Sequence, residues 1–134
     1  MFVKGFLPVY IAKILQIDVS PYVIGLSAVI GHVFPIFNRF KGGKGVATFV
    51  GTLLAVDWTI GMTFGAGWLL SAILFRMSSL AALIGSLLAA GYAYQYGTSG
   101  IWITVCAMTA VIIIRHKENI VRIAQRKEPK IGKK

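Results

Sequence analysis

Two stretches of the chain hold most of its chemically capable side chains. The first reads Gly31-His32-Val33-Phe34-Pro35-Ile36-Phe37-Asn38-Arg39-Phe40-Lys41-Gly42-Gly43-Lys44-Gly45-Val46-Ala47-Thr48. Gly42, Gly43 and Gly45 fall within four residues, flanked by Lys41 and Lys44, and an apolar run opens at Val46. Glycines let successive backbone N–H groups converge, and a helix start adds unpaired amides at the positive end of its dipole. Lysines add charge-assisted bonds to the same ligand. The pattern describes an anion site, most naturally for a phosphate. Read otherwise, the same residues make a flexible basic hairpin that touches lipid headgroups. Neither common nucleotide pattern fits. Asn38 stands where a Walker A loop needs its first glycine, Gly45 where it needs Ser or Thr, and Thr48 where a dinucleotide loop needs its third glycine.

The second stretch is Arg115-His116-Lys117-Glu118-Asn119-Ile120-Val121-Arg122. Asn119 and Arg122 lie three apart, on one face of a helix. Taken alone, the stretch reads either as a partner for the glycine segment or as a solvated basic end. Other chemistries have little to build on. Two His, one Cys and four acids at no ligand spacing predict no metal site and no cofactor. No serine sits in a Gly-x-Ser-x-Gly turn, and Ser27, Ser71 and Ser86 fall inside apolar runs, where helix packing is their natural role.

The elements that must hold these residues are set by composition. Of 134 residues, 57% are apolar and 13% charged, with a mean hydropathy of +0.77. Soluble domains run near 45–50% apolar and 25% charged, so the departure is toward lipid. Cys106 has no partner, which excludes a disulfide scaffold, and the hydrophobicity excludes disorder. Apolar runs lie at Phe6–Leu15, Tyr22–Phe37, Val46–Val56, Trp58–Phe75, Leu80–Tyr96 and Ile101–Ile114. None alternates as a strand does, and open strands cannot cross lipid. The reading is all-α: a polytopic transmembrane bundle of about six helices with five to six crossings. It forms one integral-membrane domain over residues 1–134, with a basic tail at 115–134. The crossings within 45–75 are the least determined, because two runs of about 15 residues fall below the usual 17–25. Gly61, Gly65 and Gly67 offer a small face for close helix contact there, or reflect only a glycine-rich chain.

Charge placement tests that count. The net charge is +10, with eight Lys and Arg in the tail and three more between Asn38 and Lys44, so eleven of the fourteen border apolar runs in two short segments. That layout favours anionic lipid headgroups as a partner over nucleic acid. With the glycine segment placed inside, every loop assigned outside lacks Lys and Arg. Only Lys13 falls near the outer end, where its stem can snorkel. Asp18 and Asp57 read as outer-surface charges. Six crossings with both termini cytoplasmic follow.

Together the two stretches resemble the membrane acyl-phosphate:glycerol-3-phosphate acyltransferases, the PlsY family of bacteria. Gly31-His32 through Thr48 looks like that family's glycine-rich second motif, and Arg115 through Arg122 like its third. Lys4-Gly5 is similar to its Asp-x-x-Lys-Gly helix without the Asp. The resemblance implies transfer of an acyl group from acyl phosphate to the 1-hydroxyl of glycerol 3-phosphate. The products are 1-acylglycerol 3-phosphate and phosphate, in the reaction that opens phospholipid synthesis at the bacterial inner membrane. It implies that Lys41, Gly42, Gly43, Lys44, Gly45 and Thr48 bind substrate. His32 binds phosphate or takes the hydroxyl proton, Asn119 and His116 position the reactants, and Glu118, Arg115 and Arg122 hold the site together. The family's first motif, Gly-Ser-Gly-Asn-x-Gly-x-Thr-Asn, has no counterpart in this sequence. The chain thus reads as the C-terminal two-thirds of the family fold. The alternative is a truncated, non-catalytic membrane protein that keeps a phosphate or anionic-lipid site.

Overall fold

Helix starts form where the sequence places them. The Ser20 hydroxyl accepts from the Tyr22 N–H at 3.3 Å, with Pro21 at the first helical position, where its missing N–H costs nothing. Asp57 accepts from the Thr59 N–H at 2.8 Å and opens another helix. The computed structural model describes residues 2–34 and 44–133, and among them every regular element is helical. These are α1 (Phe2–Ile14), α2 (Pro21–Val33), α3 (Val46–Val56), α4 (Trp58–Phe75), α5 (Ser78–Tyr96), α6 (Ser99–Arg115) and α7 (Lys117–Ala124). The first six are the predicted runs. The seventh puts Asn119 and Arg122 on a short helix bent 61° from α6, and the chain beyond returns to the bundle.

The short α3 lies in the middle. Thr48, Phe49, Gly51, Thr52, Leu53 and Ala55 are all buried, so protein rather than lipid surrounds most of it. Its 11 residues span only about 17 Å, well under a 30 Å hydrocarbon core. Helix α1 runs parallel to it in close contact. The Gly5 Cα faces the Thr48 carbonyl so tightly that an added Cβ would lie 2.1 Å from that oxygen. Phe49 and Phe64 meet edge to face, with ring centroids 5.5 Å apart, inside a core shared with Val29, Leu53, Met108 and Ile112. Outside, Leu7, Ile11 and Ile14 of α1 and Leu69, Leu70, Ile73 and Leu74 of α4 are exposed. So broad an apolar girdle marks a surface that meets lipid. Helix α4 is long and apolar enough to cross a bilayer by itself, while α2 and α3 are apolar but shorter.

The bundle has two distinct ends, divided as the loop charges predict. Phe34 after α2, Gly45 before α3, Arg76 after α4, Ser79 at the start of α5 and the α6–α7 junction gather at one end. The Arg115 guanidinium lies 5.7 Å from the Phe34 ring centre, and the Arg76 guanidinium donates to the Ile131 carbonyl at 3.1 Å. At the other end Tyr22 packs beside Gly100, and Lys13 reaches the end of α3. Lys13, expected to extend its stem toward the outer end, finds partners there. Its ammonium donates to the carbonyls of Ala55 at 3.0 Å and Val56 at 3.1 Å, which α3 leaves unpaired. Asp57, expected to be only a surface charge, caps α4. Burial raises its carboxyl pKa, but the bonds from Thr59 and the nearby Lys13 hold it below the usual value.

Candidate active site

At the basic end, α3 begins at Gly45, whose φ of +79° lies in the left-handed region. A side chain there would be strained, and its Cβ would lie 2.6 Å from Val33 Cγ2. This turn delivers Lys44 to the rim of two recesses. One has a volume of about 360 Å³ and is bordered by Lys44, Ile114, Arg115, Lys117, Glu118, Asn119 and Arg122. Four of those seven residues are cationic and one is acidic, so the recess carries an excess of positive charge. The other is a cleft of about 710 Å³ that runs between α3, α4 and α5 under the tail. Val46, Val50, Phe64, Trp68 and Ala82 make it apolar inside, and Lys44, Ser79, His116, Glu128 and Lys130 make its mouth polar. Lys44 borders both.

The α6–α7 bend places His116 and Asn119. His116 is 1% exposed and ends α6, where its Nδ1 donates to the Ile112 carbonyl at 2.8 Å. A carbonyl can only accept, so in the neutral ring Nε2 is left bare. Burial lowers the His116 pKa, the Ile112 carbonyl raises it, Lys44 lowers it and Glu128 raises it. The net shift is downward, so the ring is held neutral at pH 7. Asn119 is buried, and its amide donates to Glu128 Oε1 at 2.7 Å. Arg122, which borders the small recess, donates from Nε to Glu128 Oε2 at 2.9 Å.

Glu128 is the carboxylate that fastens this end together. Its side chain is 6% exposed and also accepts from the Ser79 hydroxyl. Burial raises its pKa, but the bonds from Ser79, Asn119 and Arg122 and the Arg122 charge outweigh that and hold it below the usual value. Glu118, expected to help hold the site together, is exposed and borders the small recess, and the glycine loop it would hold lies largely outside the described residues. Ser79 is the second residue of α5 and gives its hydroxyl to Glu128.

Of the residues singled out in the sequence, Lys44, Arg115, His116, Glu118, Asn119 and Arg122 come together here. Gly45 sets the turn. Thr48 does not join them: it is fully buried in α3 beneath α1 and borders neither recess. His32 sits in the last turn of α2, at the same end of the bundle, and borders neither recess. Lys41, Gly42 and Gly43 lie outside the described residues. Sequence reasoning missed Glu128, Ser79, Lys130 and Trp68. A carboxylate before Pro129, with Arg126, Lys127 and Lys130 around it, was the one usable signal among them.

Fold and site together define an integral-membrane helical bundle with a basic recess beside an apolar cleft. Residues 2–126 match the family model described as glycerol-3-phosphate acyltransferase. A protein of that name from Jannaschia sp. (strain CCS1) is 46% identical over 97% of this chain and 64% of its own length. One from Caulobacter vibrioides (strain NA1000 / CB15N) is 48% identical over 98% of this chain and 62% of its own. A crystal structure of PlsY (YgiH), an integral membrane glycerol 3-phosphate acyltransferase in its glycerol 3-phosphate form, matches with a TM-score of 0.90. It is 35% identical, over 98% of this chain and 67% of that one. The lysophosphatidic acid form of the same protein matches equally. The chain belongs to the glycerol-3-phosphate acyltransferase family, and it spans just under two-thirds of the length of the curated relatives it matches.

Proposed function

We propose that the chain carries the acyl transfer machinery that moves an acyl group from acyl phosphate to glycerol 3-phosphate. The observation that supports this most directly is the shared rim: Lys44 borders both a basic recess and an apolar cleft. In this reading the small recess takes glycerol 3-phosphate, its dianion facing Lys44, Arg115 and Arg122. The glycine-loop residues Lys41, Gly42 and Gly43 complete the phosphate grip. The cleft takes the acyl chain, with the donor phosphate at its mouth beside Lys44 and Lys130. The two reacting ends then meet at one cation.

The chemistry asks little of the protein beyond placement. The substrate 1-hydroxyl oxygen attacks the acyl carbonyl carbon, the C–O bond to phosphate breaks, and phosphate leaves with the bonding pair. The hydroxyl proton goes to the bare Nε2 of His116, which its buried setting keeps neutral. His32, away from both recesses, is assigned to the loop side of the phosphate grip rather than to proton transfer. Asn119, fixed through its amide by Glu128, presents its carbonyl oxygen to a substrate hydroxyl. Acyl phosphate is already activated, so orientation and charge neutralisation supply the rate without a covalent nucleophile. Residues 1–134 act as one membrane domain, with the basic end on the cytoplasmic leaflet of the bacterial inner membrane and its surface lysines against anionic headgroups.

The test is phosphate release by the purified chain in proteoliposomes given palmitoyl phosphate and glycerol 3-phosphate. Release matched by 1-acylglycerol 3-phosphate, and lost in Lys44→Ala, is the expected result. Binding of glycerol 3-phosphate with no release of phosphate overturns the catalytic reading and leaves a non-catalytic phosphate-binding membrane protein.

A further inference from the structure

Three glycines of α4 face the bundle differently. Gly61 and Gly67 are packing residues, since a Cβ on them would lie 2.5 Å from Leu54 and Leu88. Gly65 is different, because an added Cβ meets nothing within 4 Å and the residue borders the large cleft. Close packing therefore does not require glycine at 65, although glycine is a poor helix former. Gly65 is itself exposed, and what its missing side chain leaves open is the end of the cleft away from the polar mouth. Gly65 lies eleven residues from Arg76, about 16 Å along the α4 axis. Its neighbour Phe64 packs on Gly85, seven residues or about 10 Å into α5 from Ser78. Gly65 thus sits roughly 10–16 Å above the polar mouth, with Trp68 between it and that mouth.

The geometry points to Gly65 as the residue that sets how long an acyl chain the cleft accepts. This rests on reading the cleft as the acyl site. The occupant is a single acyl chain with a phosphate head: the interior is apolar, the mouth is cationic, and the matching relative is known in a lysophosphatidic acid form. An extended octanoyl chain ends short of Gly65, whereas a palmitoyl chain passes it. A side chain at 65 therefore meets the second and spares the first.

The experiment compares Gly65→Leu, the milder Gly65→Ala, and Gly91→Leu with the parent chain. Gly91 of α5 is also open to a Cβ but lies away from the cleft, so it controls for a bulky residue on an exposed helix face. Two readouts are taken with palmitoyl and octanoyl chains: binding of lysophosphatidic acid by tryptophan fluorescence, and kcat/KM with the acyl phosphates. Gly65→Leu should lower the palmitoyl-to-octanoyl ratio about tenfold or more in both, with Gly65→Ala intermediate and Gly91→Leu at the parent value. An unchanged ratio in Gly65→Leu or Gly65→Ala, or equal loss at both lengths, overturns the assignment. If no variant transfers acyl groups yet the binding ratio shifts, the reaction reading fails and the role of Gly65 stands.

Discussion

Each end of α3 carries a lysine, and the two are used in opposite ways. At the carbonyl end Lys13 meets the negative pole of the helix dipole and spends its ammonium on the Ala55 and Val56 carbonyls. Asp57 beside it caps the next helix. Charge and dipole match, and that corner is complete by itself. At the amide end Lys44 stands exposed at the positive pole, with Arg115, Lys117 and Arg122 around the same recess. Positive charge is piled on positive dipole, an arrangement that an arriving anion relieves. Where local electrostatics are satisfied the molecule is building structure. Where cations gather beside a positive dipole end, the proposed phosphate is the ligand that would balance them.

That contrast can be broken from either side. The largest effect is expected for Lys44→Ala: kcat/KM falls about a hundredfold or more, as for other lost charge-stabilising donors, while thermal stability in detergent holds or rises slightly. Next comes Gly45→Ala. Its strained φ and the clash with Val33 should cost about 1–3 kcal/mol in unfolding measurements and lower activity with it. Lys13→Met should do the reverse of Lys44→Ala, costing about 1–2 kcal/mol of stability with little change in KM for glycerol 3-phosphate.

A smaller and sharper effect concerns pH. His116 titrates below the ordinary imidazole value of about 6.5, so as a base it stays competent at mildly acidic pH. The acidic limb of kcat/KM should fall below pH 6.5, and Lys44→Ala, which removes one downward influence, should move that limb upward. Glu128 also titrates low. The stabilisation it brings is complete above the usual carboxylate range and is lost as pH falls through its folded value. Loosening of the tail, followed by hydrogen exchange at Asn119 and Arg122, should therefore appear only in that acid range.

The sequence is uneven in what it shows. All six apolar runs are readable because lipid and core demand long uninterrupted stretches, and the division of the loops between two ends of the bundle is readable because Lys and Arg gather at one of them. The two phosphate-suited segments are readable because Gly, Lys and Arg at such spacing have few other uses. Pairings across the bundle are not readable. Nothing local tells Glu118 from Glu128, since the choice depends on how far the tail turns back toward Ser79. Lys13 looks like a stray charge until α3 is seen to end beside it. Gly61, Gly65 and Gly67 look alike until two of them touch Leu54 and Leu88 and the third touches nothing. Helix α7 is short, and it holds together because Asn119 and Arg122 are fastened to Glu128.

The most direct measurement of the claim that one cation serves both substrates is the two-substrate kinetics of Lys44→Met in proteoliposomes. The arrangement predicts that apparent KM rises for both glycerol 3-phosphate and palmitoyl phosphate, while Lys13→Met leaves both near the parent values. A change confined to one substrate, or to neither, would contradict it.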